Sequence, residues 1–373
     1  MNILIIGNGF DIAHGLPTKY TDFLKYCRDY QGSGKISNDV NINEEFADII
    51  ADNVWLKHFL AITPNLDDDK TWIDFENEIR KAIIKFHGAV INADKTSPGR
   101  IAAIEKLKSQ HPFRKFILFK NNQLSEDVSE LYKELRRFTR AFEIYCQEKI
   151  NKSTKNNTFR LNHDIFSKKS NSEDDETYVV SFNYTRTFER FYDNQQGERT
   201  ENDYHYVFLH GEADVGYENK TENTDSSVVT GITGLVLGTQ SFDRNGADKD
   251  IPTEFNVFQK HNQHHRYGTL ADYQNLLKKL RDFPKRNSAF YKEVNIRIAG
   301  HSLDRSDHAK LKHLLMEDKN ADIVVYYHNE EAFDKYINNI TEILGEEDVA
   351  ARVQFKYQHD EVFGILLKPE LEE

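Results

Sequence analysis

The stretch Met1–Pro17, MNILIIGNGFDIAHGLP, decides how the rest of the chain is read. Ile3 to Ile6 form an apolar run with no polar alternation, and Gly7-Asn8-Gly9 ends it at once. Four consecutive apolar residues describe a strand covered on both faces, as in a parallel sheet flanked by helices. Glycines directly after such a strand let another group approach the main chain closely, as a phosphate-cradling turn requires. A nucleotide site at the carboxyl end of this strand is the starting expectation, set against the plainer reading that two glycines make a tight turn. The dinucleotide fingerprint is incomplete, because Ile12 stands where its third glycine belongs.

With 373 residues the chain can hold one large domain or two smaller ones, and its core needs no disulfide staples. The apolar share of 38% counts Tyr and omits Gly, which are equally numerous at 18 each. It lies below the roughly 45–50% of average domains, so polar loops or exposed helices should surround a modest core. The net charge of −12 repels phosphate backbones and argues against non-specific nucleic-acid binding. Cys27 and Cys146 have neither zinc nor redox spacing, and read as buried thiols in a reducing cytoplasm. No apolar run approaches the roughly 18 residues of a membrane span, and the N-terminal run lacks a basic flank and a cleavage site. The expectation is a soluble, cytoplasmic protein with no membrane partner.

Beyond the glycine turn, Thr18 reads as the N-cap of a helix carrying Tyr20, Phe23, Leu24 and Cys27 on one face, expected to cover the sheet. From residue 44 to about 150, repeated 3.6-residue patterns such as EEFADIIADNVWLKHFLAI and EDVSELYKELRRFTRAFEIYCQEKI predict an inserted helical lobe. Residues 151–176 are dominated by Asn, Ser, Lys and acids, including the SEDDE run, and read as a polar linker. The chain then returns to short apolar runs that end in small or polar residues. YVVSFNYT ends at Asn183, YVFLHGE at His210-Gly211, GLVLGT at Gly238, NIRIAGHSLD at Gly300-His301-Ser302, and ADIVVYYHN at His328. Ligands of open α/β sheets lie outside the carboxyl ends of the strands, so this repeated ending is more telling than any single motif. The fold class is α/β and Rossmann-like: about six mostly parallel strands from residues 1–30 and 177–373, flanked by helices, with the 44–150 lobe inserted. Helices are expected at ADYQNLLKKLRDF, at SDHAKLKHLLMED with Ser306 as cap, and at EEAFDKYINNITEILG stopped by Gly345. Arg352 to Leu367 alternates as an edge strand or hairpin would.

Three constellations could carry chemistry. Asp11, just after the glycines, either caps a turn or receives a ribose hydroxyl, while His14 is structural or lies on a pocket rim. Asn183 offers a donor and an acceptor at fixed position, suited to orienting a water, although an Asn closing a strand is the commoner case. His210, at a strand end beside Gly211, is a candidate general base.

Together, the order GNGFD-x-x-x-GLP, SFNYT, LHG and GHSL resembles the AbiH family of bacteriophage abortive-infection proteins, a likeness extending through WIDFE (Trp72 to Glu76) to the final helix. At greater distance it is similar to the sirtuin-like NAD-binding fold. That similarity implies that Gly7, Gly9 and Phe10 line a dinucleotide site, with Asn8, Gly211 and His301 beside them. It also implies that Asn183 holds a water or ribose, that His210 is the base, and that Gly300 and Ser302 meet the adenosine half. Three departures stand out: Asp11 replaces a Ser, Thr185 replaces an Asp, and Thr18-Lys19-Tyr20 replaces a D-F-R. Without paired CxxC motifs the zinc module of deacylating sirtuins is missing, so what the resemblance implies is cleavage of the nicotinamide–ribose bond of NAD by water, with no metal. Asp11 would then stabilise the developing cation. The partners this role admits are a small-molecule nucleotide, a phage-derived trigger and a homo-oligomer.

Two other readings stand beside it: a nucleotide-binding sensor that performs no chemistry, and a metal-dependent nuclease built on WIDFE or on HNQHH. On a helix Asp74 and Glu76 fall on different faces, whereas Asp74 and Glu78 share one. Trp72 and Phe75 read as packing that docks the lobe. His261, His264 and His265 read as part of a solvated loop within a long polar segment, 239–266, that is expected to cover the site as a lid.

Overall fold

The computed structural model describes residues 1–30, 34–68, 71, 73–91, 124–152, 176–193, 204–213, 233–243, 245–246, 248–283 and 293–357. They divide into two compact units, one formed by residues 1–18, 150–212 and 268–357, the other by residues 19–149 and 213–267.

The first unit is built on a six-stranded sheet of β1 (Asn2–Ile6), β2 (Thr177–Ser181), β3 (Tyr204–Phe208), β4 (Asn295–Ala299), β5 (Asp322–Tyr327) and β6 (Val353–Tyr357). The spatial order is β3-β2-β1-β4-β5-β6, and every pair is parallel. The apolar run of β1 is explained by its two covered faces. Ile3 and Ile5 enter a core with Leu276, Leu280, Leu311, Leu314 and Ile340 from α8 (Ala271–Asp282), α9 (His308–Glu317) and α10 (Glu330–Leu344). Leu4 and Ile6 enter a second core with Phe10, Phe188, Phe191 and Tyr192. Strand order reverses about β1, and the register is level: Ile6 pairs with Ser181 and Ala299, and Ser181 with Phe208. The residues following β1, β2, β3 and β4 therefore emerge at one edge.

At that edge the loops after β1 and β4 touch mainly through backbone, with the His301 ring also against Gly7. The Gly9 N–H donates to the Gly300 carbonyl at 2.8 Å. A Cβ on Gly7 would lie 2.7 Å from His301 Cα, and one on Gly300, whose φ is +64°, would lie 2.1 Å from the Phe10 nitrogen. Glycine at 7, 9 and 300 is thus a requirement of the fold. Further on, Asn329 caps α10 by accepting from the Ala332 N–H, and Gly345 ends it.

The second unit contains α2 (Tyr20–Tyr30), α3 (Val40–Asp52), α4 (Val54–Ile62), α5 (Phe75–Ile91), α6 (Leu124–Tyr145) and α7 (Lys260–Tyr267). Its centre is aromatic: Phe75 stacks on Tyr20 and Phe59 at 4.1 and 4.3 Å, and Phe23 meets Phe138 and Phe142 edge-on. Several expectations change here. α2 belongs to this unit and not to a face of the sheet, because Phe23 finds its partners on α6. The Thr18 hydroxyl makes no cap; Asp22 accepts the Lys19 N–H instead. Ser306 likewise does not cap α9, which starts after Asp307.

GLVLGT is buried but joins no sheet. Gln263 both donates to the Leu237 carbonyl and accepts from its N–H, at 2.9 and 3.0 Å, and Arg136 donates to the carbonyls of Leu235 and Thr233. Side chains take the place of a neighbouring strand as far as Leu237, and Thr239 alone makes a parallel backbone bridge, with Gln259. The 239–266 segment, expected to be structureless, contains a 3₁₀ turn (Thr253–Phe258) with Phe255 and Phe258 fully buried, followed by α7, on which His264 is 2% exposed. Phe75 packs inside the helical unit, whereas Trp72 and residues 172–175 of SEDDE lie outside the described residues; Glu176, the last of the run, is exposed and pairs with Lys279. β6 pairs in parallel at the sheet edge; residues 358–373 lie outside the described set. Among the described residues, no helix is long and apolar enough to cross a membrane.

The backbone contact predicts a graded glycine effect. Gly15→Ala also forces a left-handed residue (φ +71°), but nothing lies within 4 Å of the new Cβ, so it should cost about 1–2 kcal/mol. Gly300→Ala meets backbone and should cost several kcal/mol more. Urea unfolding of both variants checks this, and equal losses would show that the close approach carries no energy.

Candidate functional site

Four stretches converge at the level edge: residues 7–11 after β1, 182–187 after β2, 209–212 after β3, and 300–307 after β4. Two polar clusters form there. In the first, Asn183 is 4% exposed and its Nδ2 donates to the Gly7 carbonyl at 3.0 Å and to Asp11 Oδ1 at 2.9 Å. Thr185 Oγ1 donates to Asp11 Oδ2 at 2.5 Å and lies 3.1 Å from Thr187 Oγ1. Asp11 is 1% exposed on α1 (Asn8–Ala13). Burial pushes its carboxyl up to about 7, against the lowering effect of the Thr185, Thr187 and Asn183 hydrogen bonds. Asn183 Oδ1 is buried and has no hydrogen-bond partner among the described residues.

The second cluster is centred on Phe182, whose ring lies edge-on to His301 at 4.2 Å and to His210 at 5.6 Å. Asp307 faces both histidines: Oδ1 is 3.3 Å from His210 Nε2 and Oδ2 is 3.7 Å from His301 Nε2. His210 and His301 are each 4% exposed. Beyond Gly211, Glu212 pairs with Arg186.

Other predicted site residues have different surroundings. The Phe10 side chain is core, 2% exposed and 4.5 Å from the His14 ring, so only its backbone faces the edge. The N–H groups of Gly7, Gly9 and Phe10 donate to the carbonyls of Ala299, Gly300 and Gly7. Those amides are committed to the loops, and a phosphate there would need other donors. Asn8 and Ser302 are exposed. His14 is structural: its Nδ1–H donates to the Phe10 carbonyl and its Nε2 accepts from the Tyr192 hydroxyl, both at 2.6 Å. Burial pushes its imidazole down to about 4, so it is neutral in the fold.

The acids of WIDFE are occupied structurally. Asp74 accepts the Asn77 N–H at the start of α5, and Glu76 pairs with Lys260 at 2.6 Å. Among the described residues no group of three His, Cys, Asp or Glu side chains could hold a metal ion. A cleft of about 340 Å³ lined by Tyr178, Tyr206, Asp272 and Lys279 includes none of the predicted site residues. Sequence reasoning missed Thr187 and Asp307 and saw Thr185 only as a departure. The available signals were the alternating hydroxyls of SFNYTRT and the acid within GHSLDRSD.

The family described as "Bacteriophage abortive infection AbiH" matches residues 3–327, a span that contains every residue of both clusters. The chain belongs to the AbiH family. No curated protein matches it. The six-stranded parallel sheet of this AbiH protein agrees with the Rossmann-like class expected from its strand pattern.

Asp11 makes stability depend on pH. A carboxyl that holds its proton more tightly folded than unfolded favours the fold below its ordinary pKa and loses that advantage as pH rises through about 7. Asp11→Asn keeps the shape and removes the titration. The stability of wild type relative to Asp11→Asn should fall between pH 4 and 7 by about 1.4 kcal/mol for each unit of displacement. Denaturation at several pH values measures this, and a constant difference would refute the assignment.

Proposed function

We propose that this AbiH protein is a phage-defence effector that binds NAD or a related nucleotide over the carboxyl ends of β1, β2 and β3 and hydrolyses the nicotinamide–ribose bond. The observation that carries the reading is Asn183 Oδ1. Two donated bonds fix the amide, and the remaining oxygen is buried without a partner among the described residues. A buried acceptor of this kind is suited to a donor held at one position, such as a water or a ribose hydroxyl.

Hydrolysis makes modest demands on the protein. The water oxygen bonds to ribose C1′ as the C1′–N bond breaks; the bonding pair leaves with nicotinamide, which becomes neutral. The water proton passes to His210, the candidate general base. Asp11, when ionised, favours the oxocarbenium-like charge that develops at the ribose. The sirtuin-like resemblance expects a hydroxyl at 11 and an acid at 185. Here the two groups are exchanged across one hydrogen bond of 2.5 Å, so the pair is retained. With cysteines only at 27 and 146, nothing matches the paired CxxC of deacylating enzymes.

Incubation of the purified protein with NAD and phage-infected lysate should release nicotinamide and ADP-ribose. His210→Ala should abolish both release and phage protection, while His265→Ala, on α7, should change neither. Intact NAD with equal survival of the His210→Ala strain overturns the reading. Calorimetry showing stable binding of unchanged NAD would make the protein a sensor.

A further inference from the structure

We propose that Asp307 is a positioning residue for His210, holding it in the Nε2–H tautomer so that Nδ1 is the proton-accepting atom, with His301 facing the carboxylate from its other side. The inference rests on the hydrolase reading only for its catalytic consequence; the geometry stands without it.

Leu303 is the one non-glycine residue at positive φ among the described residues, at +55°. This conformation is unfavourable for an L-residue and persists only where its surroundings impose it. It turns the chain so that the Leu303 N–H reaches back to His301 Nδ1 at 2.9 Å. His301 Nδ1 is thereby an acceptor, so in the neutral ring the proton is on Nε2, the atom facing Asp307 Oδ2. The Leu303 carbonyl, in turn, is 3.0 Å from His308 Nε2. With Oδ2 directed to His301, Oδ1 faces His210 Nε2 at 3.3 Å. A carboxylate there favours the N–H on that nitrogen and stabilises the imidazolium formed when Nδ1 takes a proton.

The carboxylate is well anchored. The Asp307 carbonyl accepts the Lys310 and Leu311 N–H groups at the start of α9, and its N–H donates to the Asp304 carbonyl at 3.0 Å. Among the described residues, titratable groups set against His210 include Asp307 and Tyr184, whose ring centroid is 6.1 Å away, with His301 across the carboxylate. Phe182 fills the space between the two imidazoles. Glu212, two residues on, is paired with Arg186.

The first test needs no variant and no substrate. Imidazole ¹⁵N shifts of the wild-type protein at a pH where His210 is neutral should report Nε2–H and a bare Nδ1; the Nδ1–H tautomer overturns the proposal. In Asp307→Asn the His210 pKa should fall by about one unit or more. Asp304→Asn, a change in the same loop, should leave it unmoved. An unchanged His210 pKa in a folded Asp307→Asn protein also overturns the proposal. If NAD is cleaved, Asp307→Asn should lower kcat at least about tenfold with little change in KM, and move the acid limb of the pH profile with the His210 pKa. Uncleaved NAD together with the expected tautomer and pKa shift removes the hydrolase reading and leaves the positioning role intact. Cleaved NAD with the Nδ1–H tautomer does the reverse.

Discussion

The contact on which the carboxyl edge depends is mainly backbone against backbone: Gly7 and Gly9 rest on Gly300 and His301. It locks the loop after β1 to the loop after β4 at the point where strand order reverses, the usual ligand crevice of such sheets. Around it the polar groups form two clusters, one of Asp11, Asn183 and Thr185 and one of His210, His301 and Asp307. Asp11 can meet Asn183 and Thr185 only because α1 starts directly from this contact. The same contact holds His301 where its ring reaches Phe182 and Asp307.

How much of this was legible follows from what a sequence pattern records. β1, β2, β4 and β5 were readable because burial on both faces writes itself as consecutive apolar residues. GLVLGT carries the same signature and is equally buried, yet Leu235 and Leu237 find their backbone partners in the Arg136 guanidinium and the Gln263 amide, and only Thr239 bridges to another backbone segment. Apolar patterning reports that a segment is enclosed, not by what. The error at HNQHH has the same origin in reverse: a polar run reads as solvated, whereas Gln263 and His264 are buried, with Gln263 standing in for a strand. α2 displays an apolar face, but nothing in its spacing distinguishes a sheet from a helix as the neighbour.

At the candidate site, Asn183 and His210 were visible as polar residues closing apolar runs. Thr185 and Asp307 were not, since each acquires meaning only through a partner distant in the chain, Asp11 for the first and His210 for the second. Burial then changes the chemistry of what was visible. Asp11 and His14 lie three residues apart, and desolvation drives the acid up to about 7 and the base down to about 4. The fold thus keeps a buried carboxyl close to the midpoint of its titration at neutral pH, a perturbation of the kind that clusters at functional sites.

The position of β1 in the middle of the sheet has a consequence for biogenesis. Asn2 pairs on one side with Thr177 and on the other with Asn295. At roughly 5–20 residues per second of translation, the most apolar strand of the chain waits on the order of tens of seconds for its second neighbour to be synthesised. During that interval its backbone and both its faces lack their final cover, while the helical unit between can form from local contacts. A strand near the start of this sequence is thus completed only by one about 290 residues further on.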